Sequence, residues 1–360
     1  MPPRERGEPA IGNEPPTLAS LGEFGLIKTV SAGLPPNART LVGIGDDAAV
    51  LATPDGRVVA TTDFLLEGRH FRRDWSSAAD IGHKAAARSL ADCAAMGAEP
   101  TALLVALAAP PDLEARWARE LAEGLARECA RTGAAVIGGD TARADSVLLA
   151  VTGLGDLAGR DPVLRSGARP GDLVAVAGPL GHAAAGFALL TAGLTDDRLI
   201  APLIAPLIAQ HLRPAPPYPA GPEAAALGAT AMIDVSDGLL ADLGHVAEAS
   251  GVQVRLASAG LRPEEELLAA ARKYLYRTAS VSRPGPDATP AAQAQEWVLT
   301  GGEDHSLVAT FPAGTPLPPR WRVIGEVSGP EPGPRTQQRG VVVDGQPGSQ
   351  RPGWDHFASG

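Results

Sequence analysis

Lysine is almost missing from this 360-residue chain: Lys28, Lys84 and Lys273 stand alone, and the other 28 of its 31 basic residues are arginine. None of the three follows a glycine, which excludes a Walker A loop around a nucleotide's phosphates. Cysteine is as scarce. Cys93 and Cys129 form neither a CxxC pair nor a disulfide framework, as expected of a reducing compartment. Aromatic residues make up only 4% of the chain. No apolar run reaches transmembrane length, and the opening MPPRERGEPAIGNEPP has no signal-peptide core, so a cytoplasmic protein without a membrane partner is expected. A net charge of −10 offers no basic stripe, which excludes a nucleic-acid surface. HExxH, GxSxG and zinc-type histidine spacing are absent as well.

What the chain has is acid beside glycine. Gly43-Ile44-Gly45-Asp46-Asp47-Ala48 sits between apolar residues, with Leu41 and Val42 before it and Val50 and Leu51 after. A tight turn explains it locally, because glycine and aspartate are favoured at bends. GxGxxA occurs here and again at Gly153–158, but a β-like run follows the first, so a Rossmann site is not expected.

Residues 1–20 are rich in Pro, Glu and Gly and read as a disordered tail. A short helix follows at 22–30, a strand at 57–62 running into Asp63, and an alanine-rich helix at 79–96. Alternation in the strand puts Thr61 and Asp63 on one face and Thr62 on the other. A strand at 101–107, an amphipathic helix at 112–132 and strands at 134–137 and 146–154 complete a first α/β domain over 21–158. Turn-rich sequence at 159–171 opens a second over 159–360. There, strands are expected at 173–177, 231–234, 321–327 and 340–344, with helices at 181–192 and from Leu239. Pro202 and Pro206 argue against a long regular helix at 199–212, and 288–295 reads as a loose insertion.

Carboxylates recur at the predicted strand ends: Asp46-Asp47, Asp63, Asp140, Asp234 with Asp237, and Glu303-Asp304. Asp92 lies instead within the alanine-rich helix. Each alone suits a turn or a cap. Together they would repel unless cations bridged them, and oxygen-only ligands suit Mg²⁺. Asp234-Val235-Ser236-Asp237-Gly238 breaks a strand and opens a helix, so its N–H groups are placed to receive phosphate oxygens, while Ser236 or Asp237 could cap the helix. Gly138-Gly139 before Asp140 would let backbone approach a phosphate.

The order of GEFGLI, GIGDDAAV, TTDFLLEGRHF, KAAARSLADCAAMGAEP, IGGDTARA, RSGARPGD, HLRP, IDVSDGLLADLGHV, TGGED and GWDHF resembles the thiamine-monophosphate kinases, over nearly the whole chain. That resemblance implies a two-domain α/β (α+β) fold like aminoimidazole ribonucleotide synthetase, with N-terminal strands forming a barrel across a homodimer. It implies ATP-dependent phosphorylation of thiamine monophosphate with several Mg²⁺ ions. By resemblance, Asp47, Thr61, Thr62, Asp63, Asp92, Asp140, Asp234 and Asp237 match metal positions, of which Asp63, Asp92 and Asp237 are the most critical. Gly139, Asp140, Arg165 and Ser236 match the ATP site, and His70, Glu303 and Trp354 match contacts to the thiamine substrate. The chain departs from the family at Arg88-Ser89-Leu90-Ala91-Asp92, where Asn-Leu-Ser-Asp is frequent, and at His305-Ser306, where Tyr-Glu is usual. Trp354 stands for a common Tyr, and Arg131 for an aromatic expected near adenine. A sister ATP-dependent synthetase and a non-catalytic nucleotide or thiamine phosphate binding protein are the alternatives.

Overall fold

Thr17 starts the first helix by accepting a hydrogen bond from the Ser20 N–H, within the segment expected to be a tail. The computed structural model describes residues 15–44, 48–194, 201–279, 288–329, 340–347 and 353. That helix, α1 (Leu18–Ser31), is interrupted at Gly22, whose φ of 67° no helix continues through. The short strands β1 (Thr40–Val42) and β2 (Val50–Leu51) pair antiparallel around the glycine–aspartate stretch, whose residues 45–47 lie outside the described ones.

The expected β3 (Val59–Leu66) runs three residues past Asp63, so that carboxylate lies inside a strand and not at its end. Helix α2 (Ala78–Ala95) follows, opened by a reciprocal capping box between Ser77 and Asp80. Its alanines favour the helix and lie buried, which lets it press closely on its neighbours. Strand β4 (Glu99–Ala109), helix α3 (Ala115–Ala130), β5 (Ala135–Arg143) and β6 (Leu148–Asp156) complete the first half. Its sheet runs β3-β6-β4-β5, with β4 and β5 parallel. Gly138, Gly139 and Asp140 lie within β5, which is longer than expected. A Cβ on Gly139 would lie 1.9 Å from the Val105 carbonyl oxygen, so packing on β4 demands that glycine; a phosphate is not needed to explain it.

The second half continues through β7 (Leu173–Ala177), α4 (His182–Thr191), α5 (Ala201–Leu212), α6 (Ala220–Ala226), β8 (Ala231–Asp234), α7 (Leu239–Ser250) and β9 (Gln253–Leu256). Then come α8 (Glu265–Thr278), α9 (Pro290–Thr300), β10 (Leu307–Phe311), β11 (Trp321–Ser328), β12 (Gly340–Val343) and β13 (Gln346–Pro347). Their sheet order is β13-β12-β9-β11-β7-β10-β8. Two expectations fail here. A regular helix does form at α5 despite Pro206, because burial of Ile204 and Leu207 outweighs one lost backbone bond. The expected loose insertion is largely helix α9, started by the Thr289 hydroxyl on the Ala292 N–H with Pro290 at its first position. One core cluster spans both halves, joining Leu103 and Leu149 to Met232, Phe311 and Trp321. The fold is thus the α/β arrangement expected, with α2 wedged between the two sheets.

Candidate active site

Alternation along β3 works as the sequence requires. Thr61, Asp63 and Leu65 turn inward, while Thr62, Phe64 and Leu66 face out. Helix α2 meets that inner face. The Thr61 hydroxyl donates to Asp92 Oδ2 at 2.6 Å. One turn earlier, the buried Ser89 hydroxyl donates to Asp63 Oδ2 at 2.8 Å. Burial first, then the charges of Asp234 and Asp63, push the Asp92 carboxyl up to about 7, against the Thr61 hydrogen bond. Acids from β3, α2 and β8 therefore share one electrostatic field.

Asp234 reaches that field because two loops of the second half are zipped together. The N–H groups of Glu303 and His305 donate to the carbonyls of Ser236 and Val235 at 2.8 and 2.9 Å. Gly302 is required for the approach, since a Cβ there would lie 2.4 Å from the Ser236 carbonyl oxygen. Glu303 and His305 carry φ of 66° and 52°, a strained region for side chains of this size. His305 Nδ1 lies 3.0 Å from Asp234 Oδ2, with both residues buried.

The expected phosphate cradle at 236–238 is closed from within. Asp242 Oδ2 accepts the N–H groups of Ser236, Asp237 and Gly238 at 3.1, 3.1 and 3.0 Å. Burial, followed by the charges of Asp234 and Asp237, raises the Asp242 carboxyl to about 8, opposed by the Gly238 and Asp237 N–H groups. Gly238, not Ser236 or Asp237, occupies the cap of α7, with no side-chain bond. Asp304 also leaves the acid set. Fully buried, it accepts the Gly181 and Ala183 N–H groups at 2.5 and 2.8 Å and so holds the start of α4. Its carboxyl is raised to about 6 by burial, with those N–H groups pulling the other way.

Glu303 is ringed by cations. Lys84 Nζ donates to its Oε2 at 3.0 Å, and Arg88 Nη1 to its Oε1 at 3.3 Å. Arg88 also stands 3.7 Å from Asp63, joining the two acidic regions. His211 Nδ1 lies 3.4 Å from Oε2. Burial, then the Lys84 charge, brings that imidazole down to about 3, so it is neutral. Burial would raise the Glu303 carboxyl, but the Lys84 and Arg88 charges outweigh it and hold the group down at about 2. His70, whose Nδ1 accepts the Leu66 N–H at 3.0 Å, gives its carbonyl to Lys84 at 3.0 Å.

Other expected residues stand apart from this centre. Asp140 is exposed on the edge strand β5 and accepts its neighbour Thr141's N–H at 2.8 Å. Thr62 meets the Thr152 hydroxyl at 3.3 Å on the opposite face of β3 from Asp63. Arg165 is exposed between β6 and β7, its carbonyl accepting from Ser250. Arg131 pairs with the buried Glu128 at 2.7 Å and stacks over Tyr218, so it serves packing beside the Pro-rich connector. Asp47, its neighbour Asp46 and Trp354 lie outside the described residues. Among the described residues, no three His, Cys, Asp or Glu side chains converge as a ready metal site.

Sequence reasoning missed Lys84, Asp242 and His211, and took Arg88, Ser89 and His305 only as departures. One signal was present: Lys84, Arg88 and Asp92 recur every four residues, which aligns them along one side of α2. The partner loops come from more than 140 residues further along, and no local pattern reports them.

Residues 45–157 match the family model for the AIR synthase related protein, N-terminal domain, and 169–331 that for the C-terminal domain. The thiamine-monophosphate kinase of Mycobacterium tuberculosis is 45% identical over 348 residues, covering 97% of this chain and 95% of its own. The crystal structure of thiamine-monophosphate kinase from Stenotrophomonas maltophilia K279a superposes with a TM-score of 0.71 at 31% identity, covering 89% of this chain and 95% of that one. The structure of AaThiL complexed with AMPPCP and TMP gives 0.70 at 31% identity, over 94% and 98%.

Proposed function

The chain belongs to the thiamine-monophosphate kinase family of AIR synthase related proteins, and we infer from this that it phosphorylates thiamine monophosphate to thiamine diphosphate at the expense of ATP. One observation carries the placement of the chemistry: the charges of Asp63 on β3 and Asp234 on β8 both act on the buried Asp92 of α2. A phosphate oxygen of thiamine monophosphate attacks the γ-phosphorus of ATP. A new P–O bond forms, the bond to the β–γ bridging oxygen breaks, and ADP leaves. That nucleophile is already anionic, so no general base is required.

Asp63, Asp92, Asp234 and the Thr61 hydroxyl offer only oxygen, the donor chemistry that suits Mg²⁺, although they do not converge on one point in this structure. Bound there with ATP, Mg²⁺ would neutralise phosphate charge and favour in-line transfer. The protein's part is to aim the donors: Ser89 fixes Asp63, Thr61 fixes Asp92, and His305 fixes Asp234. Asp47, Thr62, Asp140 and Asp237 complete the metal set in this proposal, with Gly139, Arg165 and Ser236 toward ATP. Glu303, held ionised, suits the cationic thiazolium, with His70 beside it and Trp354 as a stacking face.

We also propose a homodimer. Phe64 is 57% exposed and Leu66 is exposed beside it on β3, which is a free sheet edge, and Leu41 and Val50 are exposed on the β1-β2 pair. A second copy would cover both. The domains divide at 158/159, consistent with the two sheets, and the tail is shortened by the helix from Leu18. We place the enzyme in the cytoplasm, in keeping with free Cys93 and Cys129. No described helix is long and apolar enough to cross a membrane.

The test is product formation from thiamine monophosphate, ATP and Mg²⁺. Thiamine diphosphate and ADP in equal amounts are expected. ADP without thiamine diphosphate would move the protein to a different acceptor.

A further inference from the structure

Lys84 is only 2% exposed, a costly place for an ammonium group unless its partners are well aimed. Two of them lie on opposite sides of the interface between the halves. Nζ donates at 3.0 Å to the His70 carbonyl, in the loop between β3 and α2. It donates at 3.0 Å to Glu303 Oε2, in the loop that leads into β10. Within its own half, His70 Nδ1 accepts the Leu66 N–H, and the Glu303 N–H donates to the Ser236 carbonyl.

We propose that Lys84 is a positioning residue for the thiamine substrate, its ammonium setting Glu303 against the His70 loop so that both meet the substrate in one geometry. This rests on His70 and Glu303 being the substrate contacts. Arg88 cannot replace it. Arg88 holds the other oxygen, Oε1, and is shared with Asp63, so with Lys84 gone Glu303 keeps an ion pair but is drawn toward the acid centre. Charge on Glu303 survives while its direction is lost. Lys84 therefore acts on recognition of the thiamine end, and ATP is spared.

Purified Lys84→Met, Glu303→Gln and the double variant are compared with the parent by steady-state kinetics in both substrates, with thermal melting to show that each is folded. Lys84→Met is expected to raise the KM for thiamine monophosphate about tenfold and the KM for ATP less than about twofold. The double variant is expected to be no worse than Glu303→Gln alone, because the two residues act as one unit. Unchanged KM for thiamine monophosphate, equal rises for both substrates, or additive losses in the double variant would each overturn the proposal. A normal KM for thiamine monophosphate in Glu303→Gln would instead remove the substrate-contact assignment, and the proposal with it. If Lys84→Met does not fold, Lys84→Gln, which keeps a donor at that depth, is measured against the same outcomes.

Discussion

The Ser89 hydroxyl donates to Asp63 Oδ2 at 2.8 Å and lies 3.2 Å from the Val151 carbonyl, joining α2 to the inner face of β3. A residue that first stood out as a departure from the family's sequence thus aims a central carboxylate. Ser89→Ala should cost about 1 kcal/mol of stability, the worth of one hydrogen bond. It should also raise the Mg²⁺ concentration for half-maximal activity, with maximal turnover largely kept. Titrating activity with Mg²⁺ checks this, and an unchanged midpoint would remove the orienting role.

Asp242 closes the turn at 236–238 by taking three backbone N–H groups. Asp242→Ala leaves those donors without their acceptor, and a loss of about 2 to 4 kcal/mol is expected. Asp242→Asn keeps one acceptor oxygen and should lose less. Denaturant unfolding of both variants measures the difference, and equal losses would show that charge, not acceptance, holds the turn.

Asp304 carries a pH dependence with a definite sign. Burial raises its folded carboxyl to about 6, above the ordinary value of 3.8, so the folded state holds the proton more tightly. Stability from this group is fully present below the unfolded value and falls as pH rises toward 6, by roughly 3 kcal/mol at most. His211 runs the other way: its folded imidazole, down at about 3, makes stability rise with pH up to about 6.5. The test is therefore a difference. Between pH 4 and 6 the melting temperature of Asp304→Asn should drop less, or rise more, than that of the parent. Parallel curves would contradict the shift.

Phe64 is 57% exposed on the outer face of the edge strand β3. Phe64→Asp should halve the mass seen by light scattering while the single chain stays folded. A parent that is itself monomeric at high concentration would place the interface elsewhere or dispense with it.

The elements were legible where periodicity was strong. β7 and β8 fall on the expected residues, and α2 and α3 within a few of them, because alanine-rich and amphipathic segments impose their own geometry. Thr289-Pro290 was a readable helix start that composition concealed. The family and its activity were legible from ordered motifs, and the facing of Thr61 and Asp63 from simple alternation. What stayed hidden was satisfaction at long range. Asp242 filling the N–H groups of 236–238, and Lys84 reaching a loop 219 residues away, depend on packing that no local pattern encodes.

Turnover by Asp63→Asn tests the acid centre most directly. The substitution keeps shape and an acceptor for Ser89 but removes one charge from the group of Asp63, Asp92 and Asp234. With saturating ATP, thiamine monophosphate and Mg²⁺, and with melting that shows a folded protein, formation of thiamine diphosphate should fall at least about a hundredfold. Near-parental turnover under those conditions would contradict phosphoryl transfer at this centre.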